Sequence, residues 1–299
     1  MPELPEVETM ALDLRADLVG ATVKDAWIIL PRLLVEPSDP RQWQDALRGL
    51  TLLAIRRRGK RLLFDFTHEY TLLFAPRMTG RPYLVSDASL DRDRHDHAGL
   101  TFTDGRELRL QDPRTFARLG LYRRLADGSL RDTAGKDPLA HLGPEPLADT
   151  FTPAELALRL SRSSARPLKA SLLDQACVAG IGNIYADESL WAARLHPLRP
   201  SGSLTPAENT RLHAAIVALL TAGVAARGTQ LRDYDPPHGG ASMQKQLRAY
   251  GRAGHPCSRC GTPLASCRVG GRGTTFCPDC QLTDGSQGER KVGSVAGTP

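Results

Sequence analysis

Two Cys-x-x-Cys pairs near the end of the chain, Cys257/Cys260 and Cys277/Cys280, are separated by sixteen residues. That spacing suits two thiolate turns that share one tetrahedral zinc ion, so residues 245–282 are expected to be a small metal-dependent module, a four-cysteine zinc finger. Four thiolates leave no coordination position for water, and one structural Zn(2+) is therefore expected. A pair of disulfides is the alternative, disfavoured by the two-residue spacings and by a reducing compartment. Cys177 and Cys267 are left over and no role is expected of either.

The other end of the chain is equally specific. It opens Met1-Pro2-Glu3-Leu4-Pro5-Glu6-Val7-Glu8. Loss of the initiator would expose a secondary amine one residue from a carboxylate, a nucleophile beside an acid. Such an amine forms imines as catalytic lysines do, from a reference pKa of about 7.7–8.0 instead of about 10.4. Val7, Ala11, Leu14 and Leu18 fall on one helical face and Pro5 suits a first turn, so a packed helix is predicted to start at once and anchor the terminus. Glu3 and Glu6, three apart, belong where a helix start favours carboxylates.

With 299 residues, 41% of them hydrophobic, the chain has room for two domains with real cores. No run approaches a membrane span, and three glutamates in the first residues do not resemble a signal peptide, so a cytoplasmic protein is expected. The net charge of +6 makes an anionic partner a natural expectation without naming it. Only six of the 39 basic residues are lysine, so a lysine at a motif position hints that a point charge is wanted there.

The predicted class is α+β in two domains. Short strand patterns at 22–30, 51–56, 61–66 and 70–74, a hairpin about Asp104-Gly105 and a strand from Phe116 to Arg123 predict a β-sandwich over 1–130 behind the first helix. Residues 131–150, rich in Gly and Pro, read as a linker. Helices are predicted from Thr152-Pro153, over Leu168–Val178, Ile184–Ala193 and Pro206–Ala226, giving an α-helical domain over 151–244. Residues 228–244 read as a Gly/Pro-rich loop and 283–299 as a disordered tail.

Several basic and polar clusters face an anion in this reading. Arg56-Arg57-Arg58-Gly59-Lys60-Arg61 is either a solvated face or a phosphate-tracking stripe. Gly180-Ile181-Gly182-Asn183 lies between two helices, with Asn183 placed as a cap and its helix start open to an anion. The glycine-rich turn 270–276 can bring Arg272 against phosphate, the alternative being a solvated arginine. Met78 and Phe116 stand among arginines as candidate wedges for a base stack, the alternative being core packing.

Taken together, the Pro2–Thr9 opening, the Gly180–Tyr185 turn and the four-cysteine finger closely resemble the formamidopyrimidine-DNA glycosylase family, over residues 2 to about 282. The resemblance implies an N-terminal β-sandwich, a helix-two-turn-helix domain and a β-hairpin zinc finger, with damaged double-stranded DNA held between the two halves by a monomer. It implies a Schiff-base nucleophile at Pro2, a general acid at Glu3, supporting carboxylates at Glu6 and Glu188, and a phosphate-holding Lys60. It further implies backbone contacts from Lys169, Asn183 and Arg272. Met78, Arg114 and Phe116 match the trio that fills the hole left by an everted nucleotide.

The implied activity is excision of oxidised purines (8-oxoguanine, formamidopyrimidines) followed by β,δ-elimination. Leu4 stands where the endonuclease VIII branch tends to have glycine, which favours purines. Ala75-Pro76, where the family often has His-Leu, and Ala117, where glycine is usual, flank the wedge residues and bear on opposite-base reading. An oxidised-pyrimidine glycosylase of the same mechanism and a non-catalytic damage binder are the rival expectations.

Overall fold

The computed structural model describes residues 1–229 and 240–283, which form two units. The first comprises 1–152, 174–182 and 217–246, and the second 153–173, 183–216 and the chain from 247 onward. The expected loop at 228–244 and tail at 283–299 fall largely outside the described residues.

The first unit begins with α1 (Leu4–Leu18), whose buried Val7, Met10, Ala11, Leu14 and Leu18 form the predicted stripe. Its strands are β1 (Val23–Ile28), β2 (Leu34–Glu36), β3 (Leu52–Arg58), β4 (Arg61–Phe66), β5 (Tyr70–Ala75), β6 (Arg81–Val85), β7 (Asp96–Phe102), β8 (Glu107–Gln111), β9 (Arg118–Arg124) and β10 (Leu130–Arg131), with α2 (Pro40–Leu47) between β2 and β3. They make a four-stranded sheet in the order β1-β7-β8-β6 and a six-stranded one, β10-β9-β5-β4-β3 with β2 parallel to β9. Register fixes what each face does. Leu62 pairs with Phe74 and Phe64 with Leu72, and these inner-face residues join Leu100, Phe102, Leu108 and α1 in one core. The alternate residues Leu63 and Leu73 face the other way, into a second cluster with Tyr122, Leu130 and Leu139.

That second cluster corrects the linker reading of 131–150. The segment is packed: Leu139 lies against the outer face of the sheet, Leu142 is buried, and the Gly143 amide donates to the Gln175 carbonyl at 2.8 Å. Its prolines and glycines shape a fitted strap.

The second unit holds α3 (Pro153–Ser161), α4 (Leu168–Leu173), α5 (Asn183–Ala193) and a hairpin of β11 (Ala265–Val269) and β12 (Arg272–Phe276). Gly270 and Gly271, at φ +56° and +75°, make the two-residue turn of that hairpin. The helix α6 (Pro206–Ala225) is shared, passing from the second unit to the first after Ile216. Thr205 and Glu208 exchange bonds at its start as a capping box, the Thr205 amide reaching Glu208 Oε2 at 2.9 Å. The helix predicted over 168–178 stops at Leu173 because the Asp174 side chain accepts the Ala176 amide at 3.0 Å, an Asx turn that competes with helix. No helix among the described residues is long and apolar enough to cross a membrane.

Candidate active site and metal centre

The first residues are held fast. Pro2 is buried, and Glu3 and Glu6 are 2% and 1% exposed. Glu3 caps α1 in an extended conformation, and its amide donates to Glu6 Oε2 at 2.9 Å, which puts a carboxylate at the positive end of the helix. Two further bonds come from the Gly180–Gly182 turn. The Leu4 amide donates to the Gly180 carbonyl at 3.0 Å, and the Gly182 amide donates to Glu3 Oε2 at 2.7 Å. Both glycines are required sterically. A Cβ on Gly180 would stand 2.8 Å from Leu4 Cβ, and one on Gly182 would stand 2.3 Å from Glu3 Cδ. The turn is therefore a mould for Glu3 and Leu4, a closer purpose than the anion-facing helix start read from sequence. Gln175 braces it by donating to the Ile181 carbonyl and accepting the Gly180 amide.

Glu6 reaches in another direction. Its Oε1 accepts both the amide and the hydroxyl of Thr229, at 2.7 and 2.9 Å, while Gly228 at φ +78° leaves no room for a Cβ beside its side chain. Arg227 pairs with Asp13 of α1. These contacts tie α1 to the stem of the 230–239 segment. That segment includes Asp233-Tyr234-Asp235-Pro236-Pro237 and lies outside the described residues.

Lys60 sits with Gly59 in the two-residue turn between β3 and β4. The arginines before it are not a phosphate-tracking stripe, because each is committed to an acid inside the unit. Arg56 binds Asp65, Arg57 binds Glu8 and Glu145, and Arg58 binds Glu145 at 2.8 Å. Glu145 also accepts the Gly59 amide at 2.5 Å. The bonds of Arg57, Arg58 and the Gly59 amide to Glu8 and Glu145 thus fix the turn that presents Lys60. A Cβ on Gly59 would lie 3.4 Å from Ala179 Cβ, so this turn abuts the one that holds Glu3. Pro2, Glu3, Glu6 and Lys60 are brought to one region by these neighbours.

Of the wedge candidates, Phe116 is 46% exposed, which removes core packing as its purpose, and Met78 is half-buried in the turn from Pro76 to Gly80. The Arg114 guanidinium stands 5.0 Å from the Phe116 ring centre, a cation–π arrangement between two exposed side chains.

The second unit corrects the reading of Lys169. Its side chain is fully buried, with Nζ 2.7 Å from Asp187 Oδ1 and donating at 2.8 Å to the Gly273 carbonyl and to Thr274 Oγ1. An ammonium so enclosed does not reach phosphate; it seats the β11–β12 hairpin on α5. Burial pushes Asp187 up to about 6 against the pull of Lys169. Asn183 Nδ2 donates to the same Gly273 carbonyl at 3.0 Å, while Arg272 beside it is exposed and open to an anion. Asn183, Asp187, Tyr250, Arg268, Gly273 and Thr274 help line an open depression of about 670 Å³. Glu188, 1% exposed, accepts the amides of Arg248, Ala249 and Tyr250, so it fixes the strand of chain that enters the finger. Glu145, Thr229 and Asp187 escaped the sequence reading. The only signal for them was an acid between two prolines in Pro144-Glu145-Pro146.

Cys257, Cys260, Cys277 and Cys280 present sulfurs that all lie within 4.8 Å of one another, and no disulfide joins them. A tetrahedron with Zn–S bonds of ~2.3 Å has edges of about 3.8 Å, so the set fits one zinc ion and leaves no position for water. Cys257 and Cys277 pack with Leu264 against Trp191 of α5.

Comparison with known proteins agrees in each part of the chain. Residues 1–119 match the formamidopyrimidine-DNA glycosylase N-terminal domain, 142–235 the H2TH domain of that enzyme and 254–282 the zinc finger found in FPG and IleRS. A formamidopyrimidine-DNA glycosylase of Geobacillus kaustophilus is 43% identical, covering 94% of this chain and all of its own length. A Lactococcus lactis FPG mutant, solved in complex with a Fapy-dG containing DNA, superposes with a TM-score of 0.83 at 34% identity over 94% of this chain and 99% of its own. The MutM (FPG) protein of Thermus thermophilus gives 0.81 at 40% identity, covering 94% of this chain and 98% of its own. With every motif in its place and the match running nearly from end to end, the chain belongs to the formamidopyrimidine-DNA glycosylase family.

Proposed function

We propose that this protein excises oxidised purines from duplex DNA through a Schiff base at Pro2 and then cuts the strand by β,δ-elimination. The observation that carries the reading is the buried Pro2-Glu3 pair, pinned by the Gly180 carbonyl and the Gly182 amide beside the turn that bears Lys60. Met1 is exposed, so an aminopeptidase can reach it and free the Pro2 nitrogen. Relatives support the substrate class: similar structures hold DNA with Fapy-dG or with carbocyclic 8-oxo-G.

Attack of the neutral Pro2 nitrogen on C1′ breaks the bond to the base, which leaves with the electron pair and takes up the proton that the nitrogen sheds. Glu3 carries a proton to O4′ as the sugar ring opens and the iminium forms. Loss of a C2′ proton then expels the 3′ phosphate, loss of a C4′ proton expels the 5′ phosphate, and water releases Pro2. Lys60 holds the backbone at the lesion, with Asn183 and Arg272 as further contacts, while Met78, Arg114 and Phe116 fill the emptied stack. Glu6 and Glu188 act by position. Zinc, held by the four cysteines, supplies structure to the hairpin that carries Arg272. A monomer acting in the cytoplasm completes this reading.

Duplexes carrying 8-oxoguanine, thymine glycol or an abasic site, each opposite all four bases, test this reading. We expect 8-oxoguanine to be cut in preference and borohydride to trap the enzyme on DNA. A preference for thymine glycol would turn the reading to oxidised pyrimidines, and no cleavage of any duplex would leave a damage binder. Glu3→Gln is expected to bind lesion DNA normally and to excise at least 100-fold more slowly, in keeping with the ~10²–10⁴-fold worth of a general acid. Full excision by that variant would remove Glu3 from the mechanism.

A further inference from the structure

Asp112 lies just before the loop that carries Arg114 and Phe116, and it is 1% exposed. Its carboxylate is shared between two loops. Oδ1 accepts the Thr79 hydroxyl, from the turn that carries Met78, and the Arg114 amide at 3.2 Å; Oδ2 accepts the Ala117 amide at 2.7 Å. The Thr79 hydroxyl in turn lies 3.3 Å from the Arg114 amide. The Asp112 backbone is tied to the start of β7, its amide donating to the His95 carbonyl at 2.9 Å and its carbonyl lying 3.0 Å from His97 Nε2.

A second, apolar contact joins the same loops. Ala117 is buried, and a Cβ on Gly80 would come within 3.1 Å of its methyl and 2.6 Å of the Pro76 carbonyl. The Ala117 methyl therefore fills the space beside Gly80, which accounts for an alanine at this place. Each loop also contains one non-glycine residue in the left-handed region, Arg77 at φ +57° and Thr115 at φ +56°. Such residues persist where surrounding bonds over-determine the backbone: the Thr115 amide donates to the Asp112 carbonyl at 3.1 Å, and neighbours of both residues bond the Asp112 carboxylate.

We propose that Asp112 is a positioning residue that locks the Met78 turn and the Arg114–Phe116 loop into one rigid wedge, so that reading of the opposite base depends on a carboxylate that never touches DNA. This rests on the reading of Met78, Arg114 and Phe116 as the wedge. The Thr79 hydroxyl is the hydrogen-bonded link between the loops, and its removal leaves Asp112 with the Arg114 and Ala117 amides as donors.

The test compares Thr79→Val, Thr79→Ser, Asp112→Asn and Phe116→Ala on 8-oxoguanine opposite cytosine and opposite adenine, with cleavage of a preformed abasic site as the parallel readout. Thr79→Val and Asp112→Asn are expected to lower the cytosine-to-adenine excision ratio at least threefold and to leave abasic-site cleavage within twofold of the parent. Thr79→Ser, which keeps the hydroxyl, is expected to retain the ratio. Hydrogen exchange of the 114–117 amides should quicken in Thr79→Val, although that substitution lies in the other loop; exchange at the parent rate would overturn the lock. Loss of the ratio in Phe116→Ala with none in Thr79→Val would also overturn the lock alone. An unchanged ratio in Phe116→Ala would overturn the wedge reading and the proposal with it.

Discussion

The two units hold their functional residues by opposite means. In the first, Glu3 and Lys60 ride on a sandwich whose faces are filled by Phe64, Phe66, Phe74, Phe102 and the leucines between them, and ion pairs such as Arg57–Glu145 act only at its turns. In the second, the β11–β12 hairpin is seated by a buried ammonium, a buried carboxylate and four sulfurs. A hydrophobic core loses stability in small steps as it is trimmed. A centre built from charges and a metal fails as a unit, because removing one partner strands the others in a medium that cannot solvate them.

Metal removal should break the comparison most sharply. Structural zinc contributes ~10–16 kcal/mol of apparent binding energy in isolated fingers. Chelation, or Cys277→Ser, is therefore expected to unfold the hairpin and abolish DNA binding while the sandwich melts near its original temperature, as calorimetry would show in two separate transitions. A single lowered transition would mean that the units are not independent in stability.

Next in size is Lys169→Met, expected to cost about 3–5 kcal/mol in denaturant melts because it leaves Asp187 buried and unpaired. The sign of its pH dependence follows from Asp187. Burial already holds that carboxyl up at about 6, and losing Lys169 raises it further. A raised folded-state pKa gives stability that is present below the unfolded value and lost as pH rises through the folded one, so the deficit should widen from pH 5 to pH 8. A double change, Lys169→Met with Asp187→Leu, should recover much of the loss.

Smaller effects belong to the first unit. Glu145→Gln weakens three bonds at the Gly59-Lys60 turn and should cost about 1–3 kcal/mol, with weaker DNA binding as the turn loosens. Lys60→Ala should leave stability nearly unchanged and make the salt dependence of binding shallower by about 0.9 in log–log slope, the worth of one phosphate. An unchanged slope would count against its phosphate role.

What could be read from the chain divides along the same line. Local patterns spoke plainly: the α1 stripe, the period-two strands and the cysteine spacings each need only neighbours a few residues apart. Short polar α2 was hidden because Pro40–Leu47 buries only Trp43 and Leu47. Long-range charge pairing was hidden altogether. Nothing near Arg57 announces that its partner is Glu145, and nothing near Lys169 says that Asp187 will draw it inside, so exposed cations were expected where the fold made anchors. Glu188 was placed at the site by resemblance, and the fold shows it spending both oxygens on backbone amides of 248–250.

The seat of the finger on α5 offers a practical handle. Of the chain's three tryptophans, Trp27 and Trp43 belong to the first unit, whereas Trp191 lies against Cys257 and Cys277 with the Arg259 guanidinium 3.8 Å from its ring centre. Its indole is thus a native fluorophore sited at the thiolate cluster. In a Trp27→Phe, Trp43→Phe background, its emission would follow metal loading in real time and in intact enzyme, without an attached dye.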